Sequence, residues 1–313
     1  MSHSLSTQLI QNLYAKRDLL KKHDEEHKKI RTALLILGGG MRGASGGGIL
    51  TSLHDLGLGN VFDVVIGIST GAPLGAYFLG GHAQTMLGTS IFYVDLPPRF
   101  IKYSRKPVVD IDFIESIFRS GPKKLDVEAI LAHRSDFFIG VTDSQTSEGI
   151  LLDAKNASPD MITAIKASTA MPGLYGHTIN VNGHSCIDGG IGIPFPTNKL
   201  IENFRPTDLL IIANQSERRM RREKQPFLEK LLAPLVLRDS PARVTQLMLR
   251  SRTRYRESLE YLQSQQDINW GILWAPDDGT HFLTRDPHKL RALAQISAQQ
   301  TLEIFWKSKT EAK

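Results

Sequence analysis

Leu34-Leu35-Ile36-Leu37-Gly38-Gly39-Gly40-Met41-Arg42-Gly43 and its echo, Val64-Val65-Ile66-Gly67-Ile68-Ser69-Thr70-Gly71, decide the architecture. Each is a short apolar run that breaks abruptly into small residues and then into a helical pattern. The first helix is expected over Ile49 to Leu56 and the second over Ala72 to Leu79. Strands buried on both faces read as continuous apolar runs, and strands alternating with helices predict a mostly parallel sheet covered on both sides. The expected fold class is α/β.

Outward from this pair, residues from about Ser6 to Ile30 read as one charged helix with a thin apolar stripe of Leu9, Ile10, Leu13 and Leu20, solvated and leaning on the domain. Downstream, Pro97-Pro98 and Pro107 act as breakers, and short helices are expected near Asp110 and Asp126. Phe137 to Val141 and Ile150 to Leu152 read as strands. Ser158-Pro159-Asp160 predicts a helix start, with Ser158 as the cap and proline at the first helical position. A hairpin is expected around Asn182-Gly183, its second strand delivering Asp188-Gly189-Gly190. Asp208 to Ala213 is a further buried strand, followed by a strand near Ile272 to Trp274 and a helix from Asp286-Pro287 to about Lys307.

The second unit matches G-x-S-x-G. A serine on a tight strand-to-helix turn projects its hydroxyl while its backbone is strained, and glycines at Gly67 and Gly71 avoid collisions with neighbouring elements. The following helix points its positive end at the same place. Ser69 is thus a candidate nucleophile. Gly38, Gly39 and Gly40 offer unobstructed backbone N–H groups for an oxyanion. Gly38, Gly40 and Gly43 also satisfy the dinucleotide pattern G-x-G-x-x-G, but the nearest suitable acid, Asp63, begins the next strand instead of ending it. A P-loop reading fails because Ala44 stands where the lysine should be. A serine nucleophile needs a base. Asp188 can serve as the acid of a triad with His281 or His288, or alone as the base if burial raises its pKa.

With these residues in place, the sequence resembles the patatin-like phospholipases. The resemblance rests on G-G-G-x-R-G at Gly38 to Gly43, including Arg42, on G-x-S-x-G at Gly67 to Gly71, and on D-G-G at Asp188, Gly189 and Gly190. Ala167-Ser168-Thr169-Ala170-Met171-Pro172-Gly173, Gly192-Ile193-Pro194-Phe195-Pro196 and Lys106-Pro107-Val108-Val109-Asp110-Ile111-Asp112 extend it. It implies a three-layer α/β/α fold with a central, mostly parallel sheet and a Ser69–Asp188 dyad without histidine. It further implies an oxyanion hole at Gly38 to Gly40, lipid acyl ester substrates and neither cofactor nor metal. A short-chain esterase or thioesterase, and a non-catalytic module that keeps the fold, are the alternatives. Arg42 is either a loop-ordering group or a contact for an anionic substrate group. Ser45 and Ser168 are expected to be structural hydrogen-bonding groups.

Composition agrees with a globular enzyme: of 313 residues, 41% are hydrophobic and 22% charged. The single Cys186 leaves no intramolecular disulfide and fits a reducing compartment. Cys186 is expected to be buried, and His177 and His184 to be hairpin residues without metal partners. The first 31 residues carry no apolar core of a signal peptide, and no run approaches the roughly 18 apolar residues of a spanning helix. A cytoplasmic protein is expected, with attachment to the inner membrane surface left open. The net charge is +6, yet residues 216–256 alone hold twelve Lys/Arg against four Asp/Glu. Contact with an anionic membrane through this segment is one expectation and an ordinary solvated face the other. Nucleic acid is not expected, because few aromatics interleave the charges. Within that region Ser240-Pro241 is expected to cap one helix with a stripe of Val244, Leu247, Met248, Tyr255, Leu259 and Leu262. The expected organisation is an N-terminal helix over 1–31, a catalytic core over 32–214, and a basic helical region over 215–313 packed on the core.

Overall fold

Thr32–Ile36 and Val64–Ile68, buried throughout, pair in parallel as strands β1 and β2. They form the middle of one sheet in a computed structural model that describes residues 5–81, 87–102, 107–221 and 242–311. The remaining strands are β3 (Asp136–Asp143), β4 (Gly149–Asp153), β5 (Ile179–Val181), β6 (His184–Asp188), β7 (Asp208–Ala213) and β8 (Asn269–Trp274). Their order is β5-β6-β3-β2-β1-β7-β8, with β4 joined to β3 off that path. Pairing is parallel from β3 through β2, β1 and β7 to β8, and antiparallel where β4, β5 and β6 join.

Helices α1 (Thr7–Lys21), α2 (Gly43–Asp55), α3 (Gly71–Leu79), α4 (Ile111–Arg119), α5 (Met161–Thr169), α6 (Gly189–Gly192), α7 (Thr197–Phe204), α8 (Ala242–Leu249), α9 (Ser251–Ser264) and α10 (Pro287–Glu311) clothe the sheet. The period of two along each strand divides the core. Leu34, Ile36, Leu210 and Ile212 join a cluster with α1, α2, α3 and α10, while Ala33, Leu35, Leu209 and Ile211 join another with α7 and α9. The result is the expected three-layer α/β/α fold. Among the described residues, no helix is long and apolar enough to cross a membrane.

Several local expectations need correction. The N-terminal helix ends at Lys21, where His23 takes a positive φ of 54°, and a separate 3-10 turn covers Glu25–Lys29. Nor is its polar face wholly solvated: Lys16 is fully buried. The Lys16 ammonium donates to Ile30 O (2.6 Å) and Thr32 Oγ1 (3.0 Å) and pairs with Asp63. Asp63 also accepts from the Thr32 amide (2.8 Å) and Arg134 (2.8 Å). Helix α2 starts at Gly43, well before Ile49. Glycine's poor helix propensity suggested a turn, but tertiary packing overrides it. A Cβ on Gly47 would lie 2.5 Å from Thr89 Oγ1, and one on Gly48 would lie 2.1 Å from Ala294 O in α10. Pro97 and Pro98 do not break structure; they fall in the first turn of a short helix, Leu96–Arg99, that continues a π-turn at Ile91–Asp95. Ser158 does not cap α5. Asp160 does, accepting from Thr163 N, while the Ser158 amide donates to Asn182 Oδ1 and the Ser158 carbonyl accepts from Asn182 N in the hairpin turn.

The long basic helix is two, α8 and α9, meeting at Arg250. Its proposed cap, Ser240-Pro241, lies outside the described residues, as do Lys106 and residues 222–241. Val244 of α8 is fully buried against Ile187 and Ile191. Half-buried Arg254 of α9 donates to Ile191 O (2.9 Å) and to Gly192 O, at the C-terminal end of α6. Arg218 and Arg221 meet Asp277 and Glu217, and Arg256 meets Glu260.

Candidate active site

Strand β3 brings the two halves of the site together. One edge of β3 is taken by β4 from Phe138 to Thr142. Both other partners must therefore share the opposite edge: Ile68 of β2 ends against Gly140, and Asp188 of β6 lies against the next residue, Val141. Ser69 follows Ile68 directly. Two residues far apart in sequence are thus set side by side by consecutive positions on one strand.

Ser69 has φ +53°, the left-handed region that a side chain adopts only under strain, and 6% of its surface is exposed. The flanking glycines answer to packing. A Cβ on Gly67 would stand 2.5 Å from Gly71 O, and one on Gly71 would stand 2.1 Å from Ile36 O. The Ser69 hydroxyl donates to Asp188 Oδ2 at 2.7 Å. Its amide donates to Ser168 Oγ (2.9 Å), whose hydroxyl donates in turn to Gly140 O (2.6 Å).

Asp188 is buried, and its carboxylate forms no ion pair among the described residues. Its Oδ1 accepts from Gly190 N (2.7 Å), its own amide donates to Ala170 O (3.0 Å), and its carbonyl accepts from Thr142 Oγ1 (2.8 Å). Desolvation pushes its pKa up to about 7, against the opposing pull of the Ser69 hydroxyl and the Gly190 amide. Gly189 has no room for a side chain, since a Cβ there would meet Gly140 O at 2.2 Å. Neither histidine of the triad alternative reaches this pair: exposed His281 faces Arg219, and His288 is exposed on the first turn of α10.

The loop after β1 lies against the serine, with a Cβ on Gly38 falling 2.9 Å from Ser69 Cβ. Its backbone donors divide sharply. Leu37 N donates to Ile212 O, Met41 N to Phe282 O and Arg42 N to Gly39 O. Between them, the amides of Gly38, Gly39 and Gly40 donate to no acceptor among the described residues. Buried or half-buried backbone donors are usually paired, so these three stand out as N–H groups without a protein acceptor among the described residues. Arg42 is buried and turns its Nε–H back onto Gly39 O (3.3 Å), which orders the loop from within.

From the serine a narrow slot leads into the protein. Apart from Ser69, Thr70, Asp188 and Thr169 its wall is almost wholly apolar, built from Leu74, Tyr77, Phe92, Phe100, Ile114, Phe118, Met171 and Phe282 among others. The Tyr77 hydroxyl points out of it, donating to Lys123 O. Lys166 braces the outer wall, joining Asp112 and Glu115 of α4 to α5.

Sequence reasoning missed Thr142 and Asn214 and gave Ser168 no link to Ser69. The residues set aside do lie apart: His184 pairs with Asp143 (2.9 Å), Cys186 is buried with its thiol pKa raised by burial, and Ser45 bonds Ser297 (2.8 Å). Among the described residues no group of His, Cys, Asp and Glu is disposed to hold a metal ion.

A strained serine joined to a buried carboxylate beside unpaired amides is an arrangement able to carry out nucleophilic acyl transfer. The chain belongs to the patatin-like phospholipase family, whose profile matches residues 34–201, and which as a family acts on lipid acyl esters. It is 27% identical over 190 residues to the uncharacterized protein YjjU of Escherichia coli (strain K12), a match covering 58% of this chain and 51% of YjjU. The chain thus spans about half the length of that curated relative. Among solved structures it is similar to VipD from Legionella pneumophila, with a TM-score of 0.47 and 10% identity, over 87% of this chain and 67% of VipD.

Proposed function

We propose that the protein is a serine lipid acyl hydrolase of phospholipase A type, acting through a Ser69–Asp188 dyad. Ser69 Oγ attacks the ester carbonyl while its proton passes to Asp188 Oδ2, and the amides of Gly38, Gly39 and Gly40 receive the oxyanion. Collapse expels the alcohol, which takes the proton from Asp188, and leaves the acyl group on Ser69. Water then attacks the acyl-enzyme as Asp188 accepts its proton. Release of the fatty acid returns that proton to Ser69. The observation that carries this reading is the 2.7 Å hydrogen bond from Ser69 to a buried carboxylate, with three free amides alongside. The apolar slot beginning at the serine favours a fatty acyl chain over a short one.

A panel of phospholipids, short-chain esters and thioesters, assayed with wild type, Ser69→Ala and Asp188→Asn, tests it. Each variant is expected to lose at least about 10³-fold in kcat with the fold intact, in line with removing a nucleophile or its base. Near-wild-type turnover by Asp188→Asn overturns the dyad. Failure of a fluorophosphonate to label Ser69 overturns the enzyme and favours a binding module. The reading keeps contact with anionic membranes through residues 216–256 as a proposal resting on their charge. Salt-sensitive co-sedimentation with anionic vesicles is the expected result, and no binding at low salt overturns it.

A further inference from the structure

We infer that Asn214, the residue after β7, is a positioning residue that holds the Gly38–Gly40 loop in the conformation that receives the oxyanion. The inference rests on the catalytic reading above. A loop serving as an oxyanion hole faces a physical difficulty: the donors that would normally stabilise it must stay unbonded. Its shape has to be imposed from its flanks. Leu37 N and Met41 N are fastened to Ile212 O and Phe282 O, but these bonds leave the Leu37 carbonyl and the entry to α2 unspecified.

Asn214 supplies both. Its side chain is completely buried. Nδ2 donates to Leu37 O at 2.8 Å, before the glycines, and Oδ1 accepts from Gly46 N at 2.8 Å, after them. Gly46 is the fourth residue of α2, so this bond fixes the first turn of the helix that follows the glycines. Asn214 also forms the floor of the loop. A Cβ on Gly39 would stand 2.5 Å from Asn214 Cβ and 2.9 Å from Asn214 O, so Gly39 is pressed directly on it.

A side-chain amide meets these demands together without a change of protonation. One end must donate to a carbonyl and the other must accept from an N–H, which a carboxylate cannot do. Aspartate would also set a buried charge beneath the developing oxyanion, and leucine, of similar shape, would leave both partners unsatisfied.

The test compares wild type with Asn214→Ala on a medium-chain p-nitrophenyl ester, with folding followed by circular dichroism. A trifluoromethyl ketone of the same acyl chain serves as mimic of the tetrahedral intermediate. Expected is a loss of about 10²-fold in kcat with KM within about threefold, matching the removal of an oxyanion donor. The Ki of the ketone should rise by the same factor as kcat/KM falls. If Asn214→Ala does not fold, Asn214→Ser, whose hydroxyl can serve one of the two partners, should show the same split with a smaller loss. A folded variant with wild-type kcat, or a loss confined to KM, overturns the inference alone. A wild type that hydrolyses no ester and binds no ketone overturns the functional reading and the inference with it.

Discussion

Asp188 sits away from water with no ion-pair partner among the described residues, and that placement has two consequences of opposite sign. With a pKa near 7 its carboxylate is a far better base than an aspartate at its ordinary value of about 3.9. In the proposed mechanism kcat/KM should therefore rise with pH along a single ionisation near 7 and then level off. A pH profile on a neutral ester checks this, and a limb below about 5 would remove the role given to burial. Stability should move the other way. Between roughly pH 4 and 7 the folded protein keeps a proton on Asp188 that the unfolded chain has lost, so stability is drained as pH rises through this window. Asp188→Asn is free of this penalty. Its Tm should match wild type near pH 4 and exceed it by several degrees at pH 8, measured by scanning calorimetry at both values.

At the scale of elements, α9 carries a similar local burden. The Tyr255 ring stacks on Phe195, centroids 4.5 Å apart, yet its buried hydroxyl has no hydrogen-bond partner among the described residues. Tyr255→Phe keeps the stack and removes the orphaned group. It should stabilise the protein by about 1 kcal/mol, read as a rise of about 2 °C in Tm, and a loss of stability would mean that the hydroxyl is satisfied in solution. The elements also divide what could be read in advance from what could not. The units around Gly38–Gly43 and Gly67–Gly71 were legible because their glycines, apolar runs and serine act within a few residues. Asp188 was legible through the glycines its strand end requires. Asn214 was not, since a lone asparagine after a strand carries no local signature, and its partners, Leu37 and Gly46, lie far back in the chain. Lys16 was misread because a lysine on a charged helix is normally solvated. The walls of the slot escaped notice because they converge from α3, the turns from Ile91 to Phe100, α4 and Phe282, and no local pattern announces that convergence.

For the whole molecule, Lys16 fastens the N-terminal helix to the entry ends of β1 and β2, opposite the serine. Burial alone would lower its pKa, while Asp63 pulls it back, so the pair stands or falls together. Lys16→Ala should cost about 3 kcal/mol in urea unfolding, short of the largest buried-pair losses because Asp63 keeps Arg134 and is one-third exposed. Full wild-type stability would make the N-terminal helix an ornament of the fold. The sheet itself carries a broader consequence. Serine and aspartate are 119 residues apart in sequence, yet their meeting depends on two neighbouring positions of β3, Gly140 and Val141. The chain from Pro73 to Phe118, which supplies most of the slot's wall, hangs beyond this junction without entering it. That excursion can lengthen, shorten or exchange its side chains while the chemistry stays in register. In the proposed reaction the fold thereby separates the choice of acyl chain from the act of cleaving it, leaving one free to diverge while the other stays fixed.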